Sequence, residues 1–186
     1  MKNTIREILI TIALAIVIYL ILQTINQTSV VNQTSMLPGL EEGQRLFVVK
    51  ILYKFKEPAR GDIIVIRPPI DPEKEYVKRL IGLPGDTIEI RGGKVYLNGV
   101  LLNEPYIKEP VRYTFGPYTV PDGQYFVLGD NRNVSNDSHN GWTVSRREII
   151  GKVWWRYWPL NKFGLVGNFP LDRELEAASR QEETVS

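Results

Sequence analysis

From Ile8 to Leu22 the chain reads ILITIALAIVIYLIL, 15 residues without a charge, and no charged residue returns until Glu41. As a helix, Ile8 to Ile25 would measure roughly 27 Å, close to the ~30 Å hydrocarbon core of a bilayer. Leu, Ile, Val and Ala cover every face of that helix, whereas a buried core helix would normally keep a polar stripe. Lys2 and Arg6 precede the run and no Lys or Arg follows it before Arg45. That asymmetry puts the N-terminus in the cytoplasm and everything after Gln23 outside. A removable signal peptide is the rival reading, because a charged start and an apolar core of about 15 residues reach the upper limit of its pattern. Its cleavage site is missing: Gln23, Thr24, Ile25, Asn26 and Gln27 follow the run, and the small pair Ala13 and Ala15 lies inside it. The expectation is an uncleaved, single-pass anchor in the cell membrane, with the lipid bilayer as a partner.

Composition narrows the chemistry available outside that bilayer. With 23 Lys+Arg against 21 Asp+Glu the net charge is +2, and the basic residues are spread along the chain. Charge therefore gives no argument for a nucleic-acid partner. The absence of cysteine excludes disulfides, thiolate metal sites and a cysteine nucleophile, and one histidine cannot build a multi-histidine metal site. No cofactor or metal is expected. If the chain is an enzyme, its chemistry runs on Ser, Thr, Lys, Tyr or carboxylates, with at most one imidazole taking part.

Beyond the anchor, short β-rich runs alternate with turn signals: RLFVVK at Arg45 to Lys50, DIIVIR at Asp62 to Arg67, YVKRLIGL at Tyr76 to Leu83 and TIEIR at Thr87 to Arg91. TIEIRGGKVYLNGVLL reads as two consecutive hairpins, since Gly92-Gly93 and Asn98-Gly99 accept the positive φ that tight turns demand. Gln124 to Leu128 and Ile149 to Tyr157 are further strand candidates, and no long amphipathic helix interrupts them. The pattern predicts an all-β, antiparallel sandwich or barrel following one N-terminal transmembrane helix. Three segments are expected: residues 1–26 as cytoplasmic N-terminus and anchor, 27–171 as the extracytoplasmic β domain, and 172–186 as a polar tail or weak helix.

Several residues could carry chemistry. A Ser/His/Asp arrangement must use His139, which has Asp137 and Ser138 beside it; in the polar run NVSNDSHNGW a surface-loop histidine is the plainer reading. Ser35, in TSMLPGL, lies 13 residues past Leu22 and so within roughly 43 Å of the bilayer, where a membrane-bound substrate would be; a turn or capping serine is its structural alternative. Lys78 places a cation in a strand-like apolar run, where alternation puts Tyr76, Lys78 and Leu80 on one face. If that face is the core, desolvation lowers the lysine toward neutrality and makes it a usable general base. The alternative is that Lys78 points outward and Arg79 inward.

Four blocks then resemble the type I signal peptidases, membrane-bound Ser/Lys endopeptidases: Ser35-Met36-Leu37-Pro38; Arg60-Gly61-Asp62-Ile63-Ile64-Val65; Tyr76-Val77-Lys78-Arg79 with Gly82-Leu83-Pro84-Gly85-Asp86; and Gly129-Asp130-Asn131-Arg132 with Ser135 and Asp137-Ser138. The resemblance implies that Ser35 is the nucleophile, that its amide contributes to the oxyanion hole, and that Lys78 is the general base. It further implies that Ser135 orients the lysine and that Asp130, Asn131, Arg132 and Asp137 support the site. Met36 and Leu37 would belong to a hydrophobic surface near the bilayer, with solvent-shielded packing of the loop as the equal alternative, and the partners would be preprotein signal peptides with small residues before the cleaved bond. A monomer is expected. This sequence departs from the family pattern at Gly39, usually Thr; at Gln33, often Ser or Gly; and at His139, commonly Arg. A soluble Ser/Lys autoprotease would lack the apolar span, and a non-enzymatic anchored β module would leave the Ser35 and Lys78 blocks without a purpose.

Overall fold

The computed structural model describes residues 2–173, 175–177 and 180, and of residues 2–3, 9 and 17–27 it describes the backbone only. Helix α1 runs from Lys2 to Ile25 and passes without a break into strand β1, Asn26–Val30. Its 24 residues measure about 36 Å. Much of the span expected from Ile8 to Leu22 has side chains outside the described residues, and within those residues no helix is long and apolar enough to cross a membrane.

The remaining elements are almost all strands: β2 (Arg45–Val49), β3 (Ile63–Ile66), β4 (Tyr76–Gly82), β5 (Thr87–Arg91), β6 (Lys94–Leu97), β7 (Val100–Leu101), β8 (Phe115–Thr119), β9 (Gln124–Leu128), β10 (Val144–Ser145), β11 (Ile149–Trp158) and β12 (Gly164–Leu165). Between β2 and β3 a one-turn helix α2 covers Leu52–Phe55. Two antiparallel sheets result. The larger runs β1-β2-β11-β3-β4-β9-β10, with β12 added to β11, and the smaller runs β7-β6-β5-β8. The all-β, antiparallel expectation holds. Both hairpins form where the sequence placed them, with Gly92, Gly93, Asn98 and Gly99 all at positive φ.

The centre of the larger sheet is buried on both faces. Ile64, Ile66, Leu80 and Val127 pack on one side with Trp142 and Ile149, while Ile63 and Val65 face Val48, Val153, Met36 and Leu40 on the other. A strand in such a position reads as a continuous apolar run and not as an alternation, which is what IIVI in β3 is. The small sheet closes a third cluster over Ile81, Phe126 and Leu128.

The stretch that leads into the expected tail, Asn168 to Leu171, is part of this packing, and the described residues from 172 onward are helical. Asn168 accepts the Ile63 amide at 3.1 Å, Leu171 is buried among the small-sheet residues, and Asp172 binds Arg60 at 2.6 Å. Arg60 also holds Asp86 through two nitrogens, each at 2.7 Å. The end of the expected tail, residues 181–186, lies outside the described residues. Gly61 makes the close approach possible: its φ is +88°, and a Cβ there would stand 1.4 Å from the Phe169 carbonyl oxygen. Gly61→Ala is therefore expected to lower the thermal unfolding midpoint by about 5 °C or more. An unchanged midpoint would show that the segment is not seated on that glycine.

Candidate active site

Ser35 sits in a tight loop between β1 and β2. Val31 before it and Met36 and Leu40 after it are buried in the core, and the Leu40 amide bonds the Met36 carbonyl at 2.9 Å, so the loop is fastened from below. This corrects the surface role expected for Met36: the side chain fills the space beneath the sheet. From above, the Asn131 amide donates to the Ser35 carbonyl at 2.9 Å and its side-chain Nδ2 donates to the Thr34 carbonyl at 3.1 Å. The loop opens on a cleft of about 340 Å³ lined by Asn32, Gln33, Thr34, Ser35, Tyr76, Val134 and Asn136.

Lys78 and Arg79 are consecutive on β4, and two-sided burial of the sheet encloses both, at 1% and 2% exposure. The sequence posed them as alternatives; the structure buries each on its own face. Arg79 makes a bidentate pair with Asp130 at 2.8 and 2.7 Å, donates to the Gly61 carbonyl at 3.0 Å, and lies 3.9 Å from the Tyr106 ring centre. Lys78 has no such carboxylate: its Nζ donates to the Ser135 hydroxyl at 2.9 Å and stands 5.4 Å from the Tyr76 ring. Burial pushes the Lys78 ammonium down to about 8, against the pull of the Asp137 and Asp130 charges.

The loop after β9 joins the two halves. Asp137 accepts the Gly129 amide at 2.9 Å, and Arg132 Nε donates to the Gly129 carbonyl at 3.1 Å, so both polar groups of one glycine are fixed by charged partners. A Cβ on Gly129 would stand 2.3 Å from the Ser135 hydroxyl and 2.5 Å from the Ser35 carbonyl oxygen. The serine loop, the lysine's hydroxyl partner and the supporting loop thus meet at this residue. Arg132, with no exposed surface, forms a fork on Glu104 at 2.7 and 2.5 Å. Sequence reasoning passed over Glu104 and Tyr106 because LLNEPY carries no signal beyond its turn residues.

The residues that depart from the family pattern are also located. Gln33 is half-buried and lines the cleft. A Cβ on Gly39 would meet Asp130 Oδ2 at 3.7 Å, an ordinary contact, so the loop has room for a larger residue there. The His139 ring nitrogen Nδ1 lies 2.6 Å from Asp137 Oδ1, and its ring stacks on Tyr113 at 4.1 Å.

An amine kept from water and lowered toward neutrality is what a serine-type peptidase needs when an imidazole is not its base. The comparisons with known proteins point to the same class. The family model for signal peptidase, peptidase S26, matches residues 1–158. A signal peptidase I of Leptolyngbya laminosa is 44% identical over 168 residues, covering 86% of this chain and 83% of the relative. One from Bacillus licheniformis is 39% identical, over 87% of this chain and 92% of its own. A crystal structure of a signal peptidase I from Enterococcus faecalis V583 is 38% identical with a TM-score of 0.48, covering 52% of this chain and 97% of that one. The chain belongs to the signal peptidase family, peptidase S26, and is a serine-type enzyme acting on preprotein signal peptides.

Because Gly129 admits no side chain, Gly129→Ala is expected to lower kcat by at least about tenfold, through displacement of Ser135 or of the Ser35 loop. Activity equal to wild type would mean that neither group needs its present position.

Proposed function

We propose that Ser35 is the nucleophile and Lys78 the general base of this signal peptidase. The observation that carries the reading is a contrast among the fully buried basic residues described: Arg79 and Arg132 each have a carboxylate, and Lys78 has a neutral hydroxyl. A paired guanidinium stays charged, whereas an ammonium desolvated without a contact carboxylate can give up its proton. With Lys78 near 8, about a tenth of it is neutral at pH 7.

The neutral amine removes the Ser35 hydroxyl proton as the oxygen attacks the scissile carbonyl. The resulting oxyanion takes a hydrogen bond from the Ser35 amide, an interaction typically worth about 3 kcal/mol of barrier. The ammonium then protonates the departing amine of the mature protein and leaves an acyl-serine. Water, deprotonated in turn by Lys78, hydrolyses that ester and frees the signal peptide. Ser135 acts as acceptor for one of the three freely rotating hydrogens of the protonated lysine and so fixes its direction. Asp130, Asn131, Arg132 and Asp137 hold the loops that carry these groups.

The reading includes a single-pass anchor with the N-terminus in the cytoplasm and the β domain outside. Supporting it, Ile8, Ile10, Ile12, Leu14 and Ile16 of α1 are each more than half exposed, on two opposite faces of the helix, which a lipid solvent would satisfy. The cleft beside Ser35 begins at Asn32, two residues past the end of β1, and β1 follows that helix directly, so one short strand separates the site for the signal peptide from the membrane segment.

Ser35→Ala is expected to leave less than about a thousandth of wild-type preprotein cleavage, and Lys78→Arg to be as inactive as Lys78→Ala, because a guanidinium does not deprotonate. The wild-type rate should rise with pH through a limb near 8, the direction required for a base that must lose a proton. His139→Ala should keep at least about a tenth of the activity; a loss as deep as that of Ser35→Ala, with the fold intact, would transfer the base role to the imidazole. Topology is tested separately. The chain has no cysteine, so Glu42→Cys provides a unique label. It should react with an impermeant maleimide on intact cells whose outer barriers have been removed, and Asn3→Cys should react only after the membrane is opened.

A further inference from the structure

His139 is bound to Asp137, the carboxylate whose charge acts on Lys78. The Asp137 carboxylate has no exposed surface and gives one oxygen to the Gly129 amide and the other to His139, through Nδ1 at 2.6 Å and the backbone amide at 3.3 Å. An imidazole nitrogen so close to a carboxylate carries its hydrogen and donates it. The ring is 17% exposed, so its other nitrogen can exchange protons with solvent while Nδ1 stays bound. Asp137 also acts on Lys78, and that charge opposes loss of the lysine's proton.

We propose that His139 is a positioning residue that sets the proton affinity of Lys78 through Asp137, so that two basic side chains share one buried anion and protonate in competition. When His139 is cationic it offsets the anion, and Lys78 releases its proton more readily; when His139 is neutral the anion is felt in full. The other charged or titratable groups facing the array are Tyr113, stacked on the ring; the Arg132–Glu104 pair, which acts on Tyr113; and the Arg79–Asp130 pair, whose carboxylate acts on Lys78. The Tyr113 hydroxyl is pushed up by burial, away from the neutral range.

The inference rests on Lys78 as base for its catalytic meaning, but the coupling itself is measurable without turnover. His139 is the sole histidine, so the full chain in detergent gives a single imidazole signal in an NMR titration. In Lys78→Met a cation competing for Asp137 is gone, and the His139 midpoint is expected to rise by about half a pH unit or more, roughly threefold in proton affinity. An unchanged midpoint overturns the proposal whatever Lys78 does in catalysis. The reciprocal arm leaves Lys78 in place and follows kcat/KM against pH. His139→Arg, permanently cationic, should move the alkaline limb down by about half a unit or more, while His139→Gln, neutral and able to donate to Asp137, should leave the limb where wild type has it. A limb that coincides in all three proteins, together with an NMR midpoint unmoved by Lys78→Met, would reduce His139 to a packing partner of Tyr113 and overturn the proposal. If Lys78 were not the base, the limb would lose its dependence on position 139 while the NMR coupling remained, which separates the two failures.

Discussion

The backbone of Gly129 is the joint on which the rest of the site depends. Its amide is held by Asp137 and its carbonyl by Arg132, both buried and both charged, so the peptide has little freedom to rotate. The missing side chain lets the Ser135 hydroxyl and the Ser35 carbonyl approach from outside at distances no Cβ would permit. Lys78 takes its direction from Ser135, and the Ser35 loop takes its height from Asn131, two residues further on. Because the positions of the Ser35 loop and of the Lys78 amine are both referred to this one peptide, an error there is shared by the two groups of the proposed dyad.

How these residues come together follows from burial of the sheet centre. A strand covered on both faces gives no exposed side to a polar residue, so two successive basic residues on β4 are both desolvated. The two faces answer that problem differently. Behind β4, Arg79 is neutralised by Asp130, and beyond it Arg132 by Glu104; removing one member of such a pair would cost roughly 3–5 kcal/mol by leaving a buried charge alone. Lys78 faces a hydroxyl instead. Among the described residues, the same fold that stabilises two cations by pairing leaves the third without a contact counter-ion, the contrast on which the proposed role of Lys78 rests.

Much of this architecture was legible in the chain, and the exceptions have physical causes. The β5–β6–β7 hairpins were visible because Gly92-Gly93 and Asn98-Gly99 supply positive φ at fixed spacing, and β9 because apolar residues follow the Pro121-Asp122-Gly123 turn. Strand β1, NQTSV, was hidden: it is polar, short and paired only along one edge, so no alternation marks it. Strand β8, FGPYT, contains a glycine and a proline, which at an edge remove no ladder bond but read as a turn. The seating of residues 168–172 was illegible because it depends on a backbone approach to Gly61 rather than on a pattern of side chains. At the site, Lys78 stood out as a charge in an apolar run, whereas its face could not be assigned: alternation presumes one wet face, and this strand has none. Glu104 had no signal because its partner, Arg132, is 28 residues away and brought close only by packing of the small sheet.

Lowering the proton affinity of Lys78 has a consequence for stability. In the folded protein the amine sits near 8 against an ordinary value of 10.5, so between those values the unfolded chain binds more protons than the folded one. Unfolding there takes up a proton, and stability rises with pH across the window; it is lost again as pH falls through about 8, where the folded protein must carry a buried ammonium. The difference is on the order of 3 kcal/mol, comparable to what one well-placed buried ion pair contributes. At neutral pH the enzyme therefore carries most of that cost, and the paired arginines, the Asn131 clamp and the seated C-terminal segment offset it from outside the reacting groups. A substitution that gave Lys78 a contact carboxylate would recover stability and raise the lysine toward its ordinary value together. The destabilised amine and the reactive amine are one physical quantity, so the surrounding structure has to be rigid enough to hold a group that would be more stable elsewhere.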